Sequence, residues 1–255
     1  MLGASDVENR IARHQRRFEE REQLFADDRI DDAGVPQYHA RQHSVCRTLG
    51  SDHLVLREVP VARVWWKRSA LHARDSVIES RKRRVAGKDP DWPTEPQLCQ
   101  NGLHAATVSR REEVQSELAE TAREMDSSYL LAFDSALLRT KYFRARFTAA
   151  LVTDDDEWRW LRKYRSLVAE LPDEKRPYFE RRTKVFAGIA NRNTATVEAG
   201  IADFLDLHRR GFEGGPEDPR ELVNLPATSL TLLARDRGLD VSVDAPFVPD
   251  CAFAE

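Results

Sequence analysis

The chain has 255 residues, of which 41% are hydrophobic and 33% charged, with only 11 Gly; this composition can bury a sizeable core and argues against disorder and against a many-stranded β protein. A net charge of −3 lacks the basic excess of a nucleic-acid binder. Three cysteines, Cys46, Cys99 and Cys251, lie far apart with no CxxC, which is reduced, cytoplasmic usage and not a disulfide framework. No apolar run approaches the roughly 18–20 residues that cross a membrane, and residues 1–10 are polar, without the apolar centre of a signal peptide.

In chain order, Val7, Ile11, His14, Phe18 and Phe25 step by three, four and seven and place one apolar stripe on a first helix. A polar break at 27–34 precedes a second helix, which starts after Pro36 and runs to about Leu49, where Gly50 stops it. Residues 53–58 read as strand or loop. Val64, Leu71, Ile78 and Val85 recur every seven residues, with Trp65 and Val77 beside them, and mark a helix over 60–84 that Gly87 ends. The Pro-rich stretch 88–96 is a loop, followed by helices around 97–107 and 109–125.

Tyr129, Leu130, Phe133, Leu137 and Leu138, continued by Phe143, Phe147, Ala150 and Leu151, form the most hydrophobic stretch and the candidate for a central buried helix. A helix starting at 154–157 carries the stripe Trp160, Leu161, Tyr164, Leu167, Val168 and Leu171. Pro177 opens the next, lined by Tyr178, Phe179, Val185, Phe186 and Ile189; after a turn at 191–193, Val197, Ile201, Phe204, Leu205 and His208 line another. Residues 211–219 form a loop. Pro226 sits in the first turn of a last helix, where a missing N–H costs nothing, and Gly238 ends it. Val241 and Val243 alternate with polar residues in a short extended tail.

These elements predict an all-α fold, an irregular bundle of antiparallel helix pairs with about nine helices and a short extended C-terminal tail. The whole of 1–255 reads as a single helical domain, with a sub-boundary available only in the loop 88–96. Charge is unevenly spread. Residues 61–88 hold nine Lys/Arg against two acids (+7), and 201–255 hold five Arg against eleven acids (−6), segments that can pair within the fold or face different partners.

No GxSxG, GxxxxGK[ST] or GxGxxG motif is present. The best metal-ligand spacing is His39-x3-His43-x2-Cys46, since residues four apart share a helix face; the alternative is ordinary surface histidines, and no acid completes a HExxH motif. Cys99 and His104, five apart, are a weak thiolate–imidazole candidate against a buried cysteine. Arg81-Lys82-Arg83-Arg84 offers phosphate-binding charge, or else a solvated helix end. The four acids Asp154, Asp155, Asp156 and Glu157 are either a contact for a basic protein surface or acidic dressing of a helix N-terminus.

The C-terminal third carries a family likeness. A helix at 196–209 ends Leu205-x-x-His208-Arg209; the segment from Asn224-Leu225-Pro226-Ala227 closes on Ala234-x-x-Arg237-Gly238; and a tail follows with Val241, Val243 and Pro249. This succession, with the Ala/Leu-rich helix before the acidic run, resembles the bacterial immunity protein 49 family of polymorphic toxin systems, over about half of the chain. The resemblance implies a mostly helical, non-enzymatic, cytoplasmic protein without cofactor that binds and neutralises a cognate protein toxin by stoichiometric complex formation. Asp154, Asp155, Asp156 and Glu157 are then candidate partner contacts. Two alternatives stand beside it: a generic helical interaction module, and a metal-dependent helical enzyme built on His39, His43 and Cys46.

Overall fold

The computed structural model describes residues 3–87, 95–131, 135–211, 218–245 and 247–253, and all of its regular structure there is helical. The elements are α1 (Ala4–Ala26), α2 (Val35–Val55), α3 (Val59–Val85), α4 (Glu95–Ser109), α5 (Glu112–Arg123), α6 (Ala136–Thr153), α7 (Glu157–Ala169), α8 (Arg176–Ala190), α9 (Thr194–Arg210), the single turn α10 (Pro219–Leu222) and α11 (Leu225–Asp236). Two short 3-10 turns, Ser127–Leu130 and Asp250–Phe253, flank α6 and close the described chain. Consecutive helices pack on one another from α1 to α9, and α11 returns against α4 and α9. Among the described residues ten helices have at least twelve residues, against about nine expected.

Amphipathic segments fold as their spacing predicts. Every member of the 160–171 stripe is buried, Trp160 to Val168 on α7 and Leu171 just past its end, and Asp156 caps that helix, its side chain accepting from the Arg159 N–H. On α9, Asn193 caps in the same way and Val197, Ile201, Phe204 and Leu205 turn inward. Val7, Ile11 and Phe18 of α1 form a small separate cluster with Val45, Cys46, Leu49 and Trp65.

Three expectations change. Gly50 does not end α2, which continues to Val55. An added Cβ at Gly50 would lie 2.4 Å from Nε1 of the fully buried Trp66, so glycine is there to admit the ring and not to break the helix. On α3, the heptad Val64, Leu71, Ile78, Val85 is not the buried face, since Val64 and Val85 are exposed. The face that packs is Ala62, Trp66, Ser69, Ala70, Ala73 and Val77, whose small residues let α3 approach α2 and α4 closely. The central buried helix is α4, not the 129–151 stretch. It touches α2, α3, α5, α6 and α11 and has scarcely a residue on the surface. Phe133 of that stretch lies outside the described residues, as does most of the loop 88–96.

Five basic residues of α3 find partners on α3 itself, on α4 and α5, or just before α2. Arg81 and Arg84 both donate to the buried Glu95 (2.7 and 2.9 Å), Arg74 pairs with Asp75 and Glu117, Lys82 pairs with Glu79, and Arg83 donates to the Asp32 carbonyl. Arg74, Arg81 and Arg84 thus hold α3 to α4 and α5.

Candidate functional site: a cationic cleft beside helix α4

Two adjoining cavities, of about 390 and 320 Å³, share Asn101, His104, Tyr178 and Pro226 in their walls. Together they form a cleft between α4, α8, α9 and the start of α11, within the size range of small-molecule sites. The larger part is lined by Phe204, Leu207, Leu225 and Pro226, with Arg47 of α2 and His208 of α9 on its edge. The smaller part is lined by Gln100, Arg144, Phe179 and Arg182.

The helices that place these groups are held closely. Gly188 of α8 faces the backbone N of Val197, and Gly200 of α9 faces that of Val185; a Cβ would come within 2.7 and 2.8 Å of these atoms. Such backbone contact fixes α8 against α9 and with it the relative position of Arg182, Tyr178 and Phe204. Asn224 caps α11, and its own N–H donates 2.7 Å to the Phe247 carbonyl, which ties the tail to the cleft rim.

Arg144 and Arg182 are 6% and 4% exposed, the only buried arginines among the described residues. Neither has a carboxylate partner there, and the Nε of each has no hydrogen-bond partner. Arg182 donates weakly to the Tyr178 hydroxyl (3.3 Å) and stacks on Tyr178 and Phe204; Arg144 lies over Phe179. Burial, and then the positive charge of Arg182, hold Arg144 below the ordinary arginine value. His104 is held neutral, well below its ordinary value, by burial and then by Arg182, Arg144 and Arg47. Three guanidinium groups thus raise the potential around one imidazole, whose Nδ1 is 3.0 Å from Ser229 Oγ. Beside them, both amide atoms of the buried Gln100 lack a partner.

The rest of the molecule supplies a contrast. Several other largely covered arginines meet a carboxylate: Glu95 for Arg81 and Arg84, Asp52 and Asp218 for Arg10, Glu157 for Arg237; Arg146 is less deeply buried and donates to the Ala122 and Arg123 carbonyls. Stacking on an aromatic face returns about 0.5–2 kcal/mol, whereas an uncompensated buried ion costs several kcal/mol. Two such cations side by side are therefore a feature that folding alone does not favour. Sequence reading missed them, although a signal existed. Thr140, Arg144, Phe147 and Leu151 step by four, three and four, and Phe179, Arg182, Phe186 and Ile189 by three, four and three. Each arginine occupies an apolar-stripe position.

The residues singled out from sequence fall elsewhere. His39, His43 and Cys46 do not converge. His39 Nδ1 lies 3.0 Å from His72 Nδ1, while His43 Nδ1 contacts the Ser69 carbonyl and hydroxyl at 2.9 Å. Two of them are not surface residues: His43 is 3% exposed and Cys46 fully buried, while His39 is half-buried. Burial pushes the Cys46 thiol up and lowers His43 to about 4. Among the described residues no group of three or more His, Cys, Asp or Glu is placed to hold a metal ion. Cys99 is fully buried with its thiol pushed up by burial, and His104 turns to Ser229 instead.

The acidic run is split among structural tasks. Asp154 takes the left-handed C-cap of α6 (φ 54°), Asp156 caps α7, and Glu157 receives Arg237 at 2.9 Å. Asp155 lies 3.7 Å from Arg123. Asp154 and Asp156 keep exposed faces.

No family model, curated protein or solved structure matches the chain. Among the described residues no helix is long and apolar enough to cross a membrane.

Proposed function

We propose that this protein is an immunity protein that neutralises a cognate toxin by forming a one-to-one complex. The observation that carries the reading is the assembly of the resembling segments 196–209, 224–239 and 241–249. The first is separate in sequence from the other two, which are nearly continuous, and together they build one wall. The Phe247 ring meets His208 edge-on at 5.1 Å, the Ser242 N–H donates to Glu198, and Arg235 donates to the Val241 carbonyl while lying over Phe253. Residues of this wall, Phe204, Leu207, His208 and Asn224 to Pro226, face the cleft. A shared sequence pattern that gathers on one side of an open cleft suits a preformed recognition surface, where a few aromatic or arginine anchors dominate affinity.

In this reading the protein works in the cytoplasm. The test is co-expression with the toxin encoded beside it, and the expected outcome is cell survival together with a one-to-one complex on size-exclusion chromatography with light scattering. Neither protection nor a complex would end the proposal, and protection at strongly substoichiometric protein would replace binding by turnover. If the acids at 154–156 steer the encounter, Asp155→Lys with Asp156→Lys slows association more than it speeds dissociation, and the difference shrinks with salt. An association rate unchanged by the reversal removes the acidic run from the interface.

A further inference from the structure

We propose that Arg144 and Arg182 form the seat of a binding site for a small organic anion, a carboxylate or phosphate head on an apolar body. Arg144 comes from α6 and Arg182 from α8, and both line the smaller, 320 Å³ cavity with Gln100 of α4. Each is more than nine-tenths buried, each has an Nε–H with no partner, and no carboxylate among the described residues reaches either. A guanidinium presents a fork of N–H donors that matches the two oxygens of a carboxylate or phosphate. Gln100, 1% exposed with its amide unpartnered, adds a donor beside them. A dianionic head balances the two cations, which nothing else described here does.

The apolar body follows from what adjoins that seat. The seat adjoins the 390 Å³ cavity, with which it shares His104 and Tyr178 and which is lined by Phe204, Leu207 and Pro226. Tyr178 is 37% exposed at the junction, and its hydroxyl touches Arg182, so it is reached from solvent while marking the entrance to the charge. A flat or aliphatic group fits between these side chains as the head meets the arginines. The assignment does not rest on the immunity reading; a protein with no toxin partner would bind the same ligand.

The experiment is isothermal titration of the full chain with phenyl phosphate, phenylacetate, inorganic phosphate and, as a cationic control, benzylamine. Both phenyl anions are expected to bind and benzylamine is not. Arg144→Met and Arg182→Met are each expected to weaken phenyl phosphate roughly ten- to a hundredfold, the range for one charge-assisted hydrogen bond. Each is also expected to raise the melting temperature of the ligand-free protein, because an uncompensated buried cation is gone; a purely structural arginine would lower it. Should a variant fail to fold, the wild-type protein gives an independent answer. In ¹⁵N-edited spectra, phenyl phosphate should shift two arginine Nε–H signals, and benzylamine none. Equal affinity for inorganic and phenyl phosphate would overturn the apolar body and leave a seat for the free anion alone. No binding of any anion, or affinity unchanged in both methionine variants, overturns the proposal.

Discussion

Replacing Gly50 by alanine should destabilise the protein, against the ordinary rule. In a helix interior alanine is favoured over glycine by about 0.8–1 kcal/mol, and Gly50 lies well inside α2. Its missing Cβ, however, is where the Trp66 indole sits. An added methyl would meet Nε1, Cδ1 and Cε2 at 2.4, 2.5 and 2.8 Å, about 1 Å inside contact distance. Trp66 is 0% exposed, so its ring can yield only by moving α3 or its own neighbours. Overpacking of this kind costs about 1–3 kcal/mol, and a ring enclosed on all sides belongs at the upper end. After subtracting the propensity gain, Gly50→Ala should lower stability by about 2 kcal/mol, or about 4–8 °C in melting temperature for a chain of this size. Urea unfolding followed by far-ultraviolet circular dichroism measures it. Trp66→Phe, which shortens the ring, should recover part of the loss in the double variant, giving a coupling of about 1 kcal/mol or more. A Gly50→Ala protein about 1 kcal/mol more stable than wild type would show that the ring does not pack there.

The remaining expectations follow from buried polar groups. Arg237 is 11% exposed and holds Glu157, Asp154 and the Leu151 carbonyl; Arg237→Met should cost about 3 kcal/mol, as for breaking a largely buried pair, and a urea midpoint unchanged from wild type would refute it. His43→Ala removes the buried imidazole that meets the Ser69 carbonyl and hydroxyl and opens a cavity, although the hydroxyl keeps its bond to the backbone carbonyl of residue 43; it should cost about 1–3 kcal/mol, not the few tenths of a surface change. Acid should unfold the protein early. Burial lowers His43 and His72 to about 4, His104 well below its ordinary value and His39 below it, whereas in the unfolded chain each titrates near 6.5. The unfolded state therefore takes up protons first. This stability is fully present above pH 6.5 and is lost as pH falls toward 4, at about 1.4 kcal/mol per pH unit for each such histidine. Urea midpoints that stay level between pH 7 and 5 would contradict the burial of these imidazoles.

Where sequence foretold the structure, one side of a helix meets the core and the other meets water. α7 is such a helix, and its stripe from Trp160 to Leu171 is legible because Arg159, Arg162 and Lys163 interrupt it at the right intervals. The core helices lack that contrast. On α4 nearly every residue is covered, including Glu95, Gln100 and His104, so polarity no longer reports which way a side chain points. On α3 the closest packing is made by Ala and Ser, which hydrophobic spacing does not weigh, and so the larger Val64 and Val85 marked a face left partly in water. Gly50 misled for the same reason. Its role lies in a contact with a residue sixteen positions away on another helix, which no local rule contains.

The cleft was hidden in a related way, yet not completely. Arg144 stands between Phe143 and Ala145, and Arg182 in a run with Glu180, Arg181 and Lys184, so both read as parts of solvated faces. Their stripe positions said otherwise, since an arginine three or four residues from Phe147, Phe179 or Phe186 must follow those rings inward or break the pattern. What sequence cannot supply is the pairing. Glu95 lies on α4 and meets Arg81 and Arg84 of α3 across the interface, and whether a buried arginine finds such an acid is decided only when helices distant in sequence come together. For Arg144 and Arg182 the groups that arrive are Phe179, Tyr178, Phe204 and the unpartnered Gln100. These leave an apolar approach to two deeply buried charges without a carboxylate, and that combination is what points outward, to an anion the protein takes up.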